Sequence, residues 1–143
     1  MDLIAGSQGS GFILSLYERK SRTGLISKLE HKTSEATAWA IIKRLKAYRV
    51  KTLTYDNGLE FAGHELVSRE LGAAGYFCAP YASWEKGGVE NYNGLVRQYY
   101  PKGSSFADLT DEDLKLVETE LNERPRKTLD GLSPSELNSK IAA

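Results

Sequence analysis

The chain has 143 residues, of which 41% are hydrophobic and 27% are charged, and its 19 basic and 19 acidic side chains cancel. This length and composition fit one soluble globular domain, and no apolar run approaches the ~20 residues that would span a membrane. A single cysteine excludes an internal disulfide and a cysteine-based metal site, and the N-terminus lacks a signal-peptide pattern, so we expect a cytoplasmic protein.

Three strands are predicted at the start of the chain. Short apolar runs cover residues 2–5 and 12–17, and residues 25–29 alternate between apolar and polar side chains. Turn-forming residues, mainly glycine and serine, fill the two segments between them. This pattern predicts an antiparallel three-stranded meander.

The first helix is predicted after the meander. Either Thr33 or Ser34 can cap its N-terminus, because a hydroxyl there can accept a hydrogen bond from a backbone amide of the first turn. Trp39, Ile42 and Leu45 recur at helical spacing. We expect this stripe of side chains to face the core.

The fourth and fifth strands are predicted on either side of a short helix. Residues 50–55 have the composition of a strand, and residues 63–71 fit a helix that ends at Gly72. Residues 76–79 are predicted to form the fifth strand, which the following proline closes.

Three further helices are predicted to complete the chain. The first covers residues 89–99. The second begins after Thr110, with Asp113 placed to complete a capping box. The third begins after Ser133, where a proline at the first helical position and Glu136 complete a similar pattern.

The order of these elements predicts the fold class. A meander is followed by strands that alternate with helices, and parallel strand pairs need such crossover connections. We therefore predict an α/β protein with a mixed five-stranded sheet flanked by helices. This is the element order of the RNase H-like fold.

Three acidic residues occupy positions where ligands gather in such a sheet. Asp2 lies on the first strand, Asp56 follows the fourth, and Glu90 lies in the first turn of the helix after the fifth. The first and fourth strands are neighbours in an RNase H-like sheet, so we expect the three carboxylates to share one site at the strand ends. Carboxylates suit Mg²⁺ or Mn²⁺, and two such ions about 3.5–4 Å apart would promote an in-line phosphoryl displacement.

Each acidic residue also has a simpler explanation that the sequence leaves open. Asp56 precedes Asn-Gly, which is a strong turn signal. Glu90 is an acid that the helix dipole favours in a first turn, and Asp2 lies where an acid is often only solvated. The order and spacing of all three together favour the metal site.

Polar and basic side chains accompany the acids. Asn93 and Arg97 share a helical face with Glu90, where they could hold a phosphodiester backbone. Arg124 and Arg126 belong to a basic group near the end of the chain and are further candidate DNA contacts. An ordinary solvated surface is the alternative for all of these residues.

Several separate motifs resemble those of one known family. Residues 56–61 read D-N-G-L-E-F, residues 83–95 read S-W-E-K-G-G-V-E-N-Y-N-G-L, and residues 121–127 read L-N-E-R-P-R-K. Residues 2–4 and the E-R-K-S-R of residues 18–22 add weaker matches. In these places the chain is similar to the DDE integrase core of bacterial insertion-sequence transposases of family thirty.

The resemblance implies both the chemistry and the partners. It implies that Asp2, Asp56 and Glu90 are the DDE triad, with two Mg²⁺ or Mn²⁺ ions as cofactors. The implied reactions are hydrolytic nicking at the transposon ends and attack of the freed 3′-hydroxyl on target DNA. Because two DNA ends must be held together, an oligomer such as a homodimer is implied for the full enzyme, although the core alone could be a monomer.

The chain departs from the family pattern in several places. Family members carry an N-terminal helix-turn-helix region that this chain lacks, so residues 1–143 are expected to be the catalytic domain alone. Glu85 and Lys86 stand where the family more often has Gln-Arg, which weakens the implied contact of Lys86 with DNA. Two alternatives stay open: a nuclease that only hydrolyses, and an inactive core that binds DNA or dimerises.

Overall fold

The computed structural model describes residues 1–56, 58–78, 87–126 and 129–136. Within these residues the elements follow the predicted order, with a short 3₁₀ turn at Leu59–Phe61 in addition. Of the last predicted helix, which begins after Ser133, only residues 134–136 are described, and they are helical. The strands are β1 (Asp2–Ala5), β2 (Phe12–Tyr17), β3 (Gly24–Leu29), β4 (Thr52–Tyr55) and β5 (Ala74–Phe77). The α-helices are α1 (Ser34–Leu45), α2 (His64–Leu71), α3 (Gly87–Tyr99) and α4 (Asp111–Glu123).

The first three strands form the predicted antiparallel meander, in the order β1-β2-β3. Asp2 lies opposite Ser15 in the first pair of strands, and Tyr17 lies opposite Gly24 in the second. The meander therefore brings Asp2 and Ser15 side by side at the beginning of β1.

β4 and β5 form a parallel pair, in which Tyr55 lies opposite Phe77. Helix α2 supplies the crossover between them, as parallel pairing requires. The five strands therefore form a three-stranded and a two-stranded sheet, where one continuous mixed sheet was predicted. The nitrogen of Met1 joins the two sheets by donating a hydrogen bond of 3.2 Å to the carbonyl of Thr54. This bond puts the start of β1 beside β4, the neighbour that the predicted fold assigns to it.

Helices cover both faces of the meander. Ile13 packs in one hydrophobic cluster and its neighbour Leu14 in another, because successive side chains of a strand point to opposite faces. The cluster on the Leu14 side contains side chains of α1, α2 and β4, and the cluster on the Ile13 side contains side chains of α3 and α4. The result is an α/β fold with helices on either side of the sheet, as predicted.

Helix α1 begins after Thr33, one of the two predicted caps, but its buried face differs from the prediction. Ile42 and Leu45 are buried as expected, whereas Trp39 is 49% exposed, so its predicted place in the core is wrong. Ala38 takes that place, because it lies one and two helical turns before the two buried residues. A small alanine carries a weak hydrophobic signal in a sequence, and a tryptophan carries a strong one.

The position of the fifth strand also differs from the prediction. It occupies Ala74–Phe77 and thus begins two residues earlier than residue 76. The parallel register with β4 sets these bounds, and no local sequence signal encodes that register. Residue 79, the last of the predicted strand, lies outside the described residues.

Both predicted capping boxes are present. Thr110 accepts a hydrogen bond from the amide of Asp113, and the Asp113 carboxylate accepts one from the amide of Thr110. Ser133 and Glu136 exchange the same two bonds. No helix in the part of the chain that the structure describes is long and apolar enough to cross a membrane.

Candidate active site

Two of the three predicted acidic residues lie at the ends of neighbouring strands. Asp2 begins β1, and its Oδ1 accepts a hydrogen bond of 2.8 Å from the amide of Leu3. Asp56 follows β4, and its Oδ1 accepts one of 2.8 Å from the amide of Gly58. Asp56 thus closes a turn through one oxygen, as the Asn-Gly signal predicts, and remains half-buried.

The amino group of Met1 relates the two aspartates to each other. It bonds to the carbonyl of Thr54, and Asp2 follows Met1 by one residue while Asp56 follows Thr54 by two. Both acids therefore lie near the point where β1 meets β4. Burial lowers the pKa of the amino group, and the negative charges of Asp2 and Asp56 oppose the shift.

Asn93 of α3 connects the helix to both β1 and β2. Its Nδ2 donates a hydrogen bond of 3.2 Å to Oδ2 of Asp2, and its Oδ1 accepts one of 2.6 Å from the hydroxyl of Ser15. The Ser15 side chain is completely buried and also contacts the carbonyl of Asp2 at 3.4 Å. These bonds fix the rotation of α3 relative to the first two strands.

Glu90 is carried to the same edge by α3. It precedes Asn93 by one helical turn, about 4.5 Å along the axis, so the two side chains share a face. Glu90 is exposed. No three histidine, cysteine, aspartate or glutamate side chains within the described ranges form a group that could hold a metal ion. The structure thus brings Asp2 near Asp56 and leaves Glu90 on the solvent side.

The apolar side of α3 sets the direction of its polar side. Val89, Tyr92 and Val96 are buried, as expected for the face opposite Glu90. Burial raises the pKa of Tyr92 well above its ordinary value, and it raises the pKa of Tyr55 to about 12. Both phenols therefore keep their protons at neutral pH, and neither is suited to act as a base.

Arg97 lies two turns beyond Glu90 and binds backbone carbonyls. Its Nη2 donates a hydrogen bond of 2.9 Å to the carbonyl of Ala5, and its Nη1 lies 3.4 Å from that of Tyr100. A guanidinium carries further N–H donors beyond these. Lys86, the predicted DNA contact just before this helix, lies outside the described residues.

Arg124 and Arg126 lie just after α4, near the end of α3. Arg124 donates a hydrogen bond of 2.8 Å to the hydroxyl of Tyr99, lies 5.8 Å from the centre of that ring, and is 3.7 Å from the carboxylate of Glu120. Arg126 donates one of 2.7 Å to the carbonyl of Leu121. Arg124 is therefore held by the ends of both helices, and Arg126 is held by the end of α4.

Sequence reasoning missed Ser15. It is the only polar residue in the F-I-L-S-L-Y run of β2, and it was predicted only as part of that strand. A hydroxyl in the middle of an apolar strand needs a hydrogen-bond partner when it is buried. This serine among apolar residues was the signal available in the sequence. In the structure its partners are Asn93 and the Asp2 carbonyl.

Similar proteins were found by sequence and by structure. The transposase for insertion sequence element IS4351 of Bacteroides fragilis is 42% identical over 147 residues, which is 99% of this chain and 44% of that protein. The transposase InsI for insertion sequence element IS30A of Escherichia coli (strain K12) is 40% identical over 139 residues, 95% of this chain and 36% of that protein. This chain therefore spans less than half the length of these relatives. No protein-family model matches it.

Among solved structures, the catalytic core domain of BIV integrase is similar, with a TM-score of 0.72. The two chains are 23% identical, and the match covers 99% of this chain and 94% of that one. At this identity the likeness establishes the fold alone. It confirms the predicted RNase H-like integrase-core fold.

Proposed function

This chain belongs to insertion-sequence family thirty of the bacterial transposases, as its motifs predict, and we propose that it is the metal-dependent core that cuts and joins DNA. The observation that carries the proposal is the hydrogen bond from Asn93 to Asp2. That bond ties the helix of Glu90 to the strand end where Asp2 and Asp56 are neighbours. This link supports a site to which three carboxylates from separate elements contribute.

We assign Asp2, Asp56 and Glu90 the role of the DDE triad, with two Mg²⁺ or Mn²⁺ ions as cofactors. The donor set fits these hard cations because every proposed ligand is a carboxylate oxygen. Glu90 is exposed, and exposed side chains change rotamer within nanoseconds, so it can turn toward the two aspartates. When bound, the ions would activate the attacking oxygen and stabilise the leaving oxygen.

The other polar residues of the site are assigned by their contacts. Asn93, which binds Asp2 and Ser15, is proposed to orient the Asp2 carboxylate and to border the DNA path rather than to grip a phosphate. Arg97 is proposed to bind the phosphodiester backbone along the same helix face. Lys86 is proposed as a further backbone contact, as its motif implies.

Two reactions follow from this assignment. Water attacks the phosphodiester at a transposon end and releases a 3′-hydroxyl, and that hydroxyl then attacks a phosphodiester of target DNA and displaces a second 3′-hydroxyl. Neither step needs a covalent bond to the protein. The full enzyme is proposed to hold its two DNA ends as an oligomer, and to work in the cytoplasm of the bacterial cell, where the DNA lies.

A strand-transfer assay tests this function. The protein is incubated with a pre-nicked end of either relative's insertion sequence and supercoiled plasmid, in Mg²⁺ or Mn²⁺, beside Asp56→Ala and the matched control Asp108→Ala. Asp108 is exposed and lies in the segment between α3 and α4. Joined product from the parent and the control, but none from Asp56→Ala, is the expected result.

The other outcomes separate the alternatives. Joining by Asp56→Ala would overturn the triad, and cutting without joining would identify a nuclease that only hydrolyses. If no protein acts on DNA, calorimetric titration with Mn²⁺ decides between an active site and an inactive core. Equal Mn²⁺ affinity of the parent and Asp56→Ala would then exclude the proposed metal site.

A further inference from the structure

The turn between β2 and β3 is a rigid, basic projection. We call residues 18–23 the hairpin turn. The carboxylate of Glu18 accepts hydrogen bonds from the amide of Lys20 at 3.1 Å, from the amide of Ser21 at 2.5 Å and from the Ser21 hydroxyl at 2.6 Å. This ring of bonds orders a turn that carries Arg19, Lys20 and Arg22.

Arg22 occupies an unusual backbone position in this turn. Its φ is 60°, in the left-handed region that non-glycine residues rarely adopt. Its Nη1 lies 3.2 Å from the hydroxyl of Tyr17, which aims the guanidinium back along the hairpin. Strained positions of this kind cluster at ligand-binding sites, where the surrounding structure holds them.

Asn122 places the end of α4 against the hairpin. Its Oδ1 accepts a hydrogen bond of 2.9 Å from the amide of Gly24, and its Nδ2 donates one of 2.8 Å to the Gly24 carbonyl. Arg22 precedes Gly24 by two residues, and Arg124 follows Asn122 by two. This pair of bonds therefore brings the two arginines to the same region, although they are distant in sequence.

Arg126 completes a group of three guanidinium groups, which we call the arginine cluster: Arg22, Arg124 and Arg126. Burial lowers the pKa of Arg126, and the positive charges of Arg124 and Arg22 lower it further. In the described parts of the chain, the only ion pair of the cluster is the one from Arg124 to Glu120, whose side chain is 60% exposed. The cluster therefore has a surplus of positive charge that an anion would relieve.

The arginine cluster adjoins the helix of Glu90. The rings of Tyr17 and Tyr92 pack with their centres 5.9 Å apart. Gly88 lies so close to Tyr17 that an added Cβ would be 2.6 Å from Cε1 of that ring. The Tyr17 that holds Arg22 therefore also supports the first turn of α3, two residues before Glu90.

We propose that Arg22, Arg124 and Arg126 form one binding site for a backbone phosphate of duplex DNA, beside the helix that carries Glu90. The assignment of DNA as the ligand rests on the proposed function. Arginine suits the site because its planar fork binds two phosphate oxygens at once. The site adds the hairpin turn to the DNA-binding surface, so a duplex bound here continues past the reacting phosphodiester.

Salt-dependent binding to fluorescein-labelled duplex DNA tests the site, with fluorescence anisotropy as the readout. Arg22→Asn is the first variant, since asparagine tolerates the left-handed backbone and should keep the turn folded. Arg124→Gln is the second variant, and Arg69→Gln on the exposed surface of α2 is the matched control. Thermal unfolding checks that each variant is folded.

We expect both cluster variants to bind DNA several-fold more weakly than the parent. The plot of log affinity against log salt should become shallower by about 0.9 for each phosphate that the variant no longer neutralises, and Arg69→Gln should keep the parent's slope. Unchanged slopes in the folded cluster variants, or no salt-dependent binding by the parent, would overturn the site. Inorganic phosphate that displaces DNA more effectively than sulfate at equal ionic strength would also overturn it, in favour of a site for free phosphate.

The same assay separates this site from the proposed function. Asp56→Ala should bind DNA with the parent's slope, because binding at the arginine cluster needs no metal. The protein could bind DNA through the arginine cluster and yet neither bind metal nor cut DNA. That result would support the arginine site and refute the catalytic proposal. If Arg22→Asn and Arg124→Gln change neither strand transfer nor DNA binding, the arginine site is refuted and the catalytic proposal is kept.

Discussion

The side-chain amide of Asn93 donates a hydrogen bond of 3.2 Å to the carboxylate of Asp2, 91 residues away in sequence. The same amide accepts a bond from Ser15, which is buried in the neighbouring strand. Helix α3 therefore cannot rotate or slide without losing both bonds. This side chain therefore helps to set the position of Glu90 relative to Asp2.

A double-mutant cycle on Ser15 and Asn93 measures this coupling. We expect Asn93→Ala to lower the free energy of unfolding by about 1–3 kcal/mol, because it removes the principal acceptor of a buried hydroxyl. Ser15→Ala should lower the free energy of unfolding by less than Asn93→Ala. The double variant should lose less than the sum of the two single losses, with a coupling energy of about 0.5–3 kcal/mol. Urea unfolding of the four proteins gives the values. Strict additivity would show that the two side chains act independently.

Local signals in the sequence were sufficient for most elements of the fold. The capping boxes at Thr110 and Ser133 and the helix stop at Gly72 depend on residues three or four positions apart, and the structure confirms all of them. The strand that carries Asp2 has the predicted bounds. The order of the elements was enough to predict the fold class.

What the sequence did not reveal depends on contacts between distant residues. Trp39 was predicted to be buried because tryptophan is strongly apolar, but the packing of α1 leaves it on the surface. The bonds of Asn93 to Asp2 and Ser15 span 91 and 78 residues, and no periodicity encodes them. For this reason Asn93 was interpreted as a surface residue facing DNA.

The hairpin turn should make stability depend on pH through Glu18. Burial alone would raise the pKa of this carboxyl, but the hydrogen bonds from Ser21 and Lys20 outweigh it and hold the pKa below its ordinary value of 4.5. The stabilisation is therefore fully present above pH 4.5 and is lost as the pH falls through the lower folded pKa. Glu18→Gln should be less stable than the parent at neutral pH, and the difference should shrink in acid.

Urea unfolding at a series of pH values checks this prediction. Lys20→Gln is the matched control, since it changes a charge in the same turn but removes no group that titrates below pH 7. The difference in free energy of unfolding between the parent and Glu18→Gln could instead stay constant at all acidic pH values. The stabilisation would then not depend on the negative charge of Glu18.

Arg44 and Glu118 form an ion pair that joins α1 to α4. The Glu118 carboxylate, which is buried, also accepts a hydrogen bond of 2.8 Å from the amide of Ile26. We expect Arg44→Met to cost about 3 kcal/mol, because it leaves a buried carboxylate without its countercharge. Chemical unfolding measures the loss. The double variant Arg44→Met/Glu118→Met should recover part of it, and a single variant as stable as the parent would contradict the prediction.

Two glycines offer a matched comparison of packing. A Cβ at Gly24 would lie 1.9 Å from Cζ of Tyr92, whereas a Cβ at Gly94 would have no atom within 4 Å. Gly24→Ala should destabilise the protein by about 1–3 kcal/mol through overpacking, and Gly94→Ala should stabilise α3 by about 1 kcal/mol. Thermal unfolding distinguishes the two. The two substitutions are expected to change the stability in opposite directions. A loss of stability in both would mean that Gly94 is packed against another part of the protein.

The pair of hydrogen bonds between Asn122 and Gly24 has a consequence for the newly made protein. These residues are 98 positions apart, so the two hydrogen bonds can form only after residue 122 has left the ribosome. Contacts between such distant residues also slow folding, because a long loop must close before they form. A prematurely terminated chain that lacks α4 would leave its hairpin and the helix of Glu90 without support.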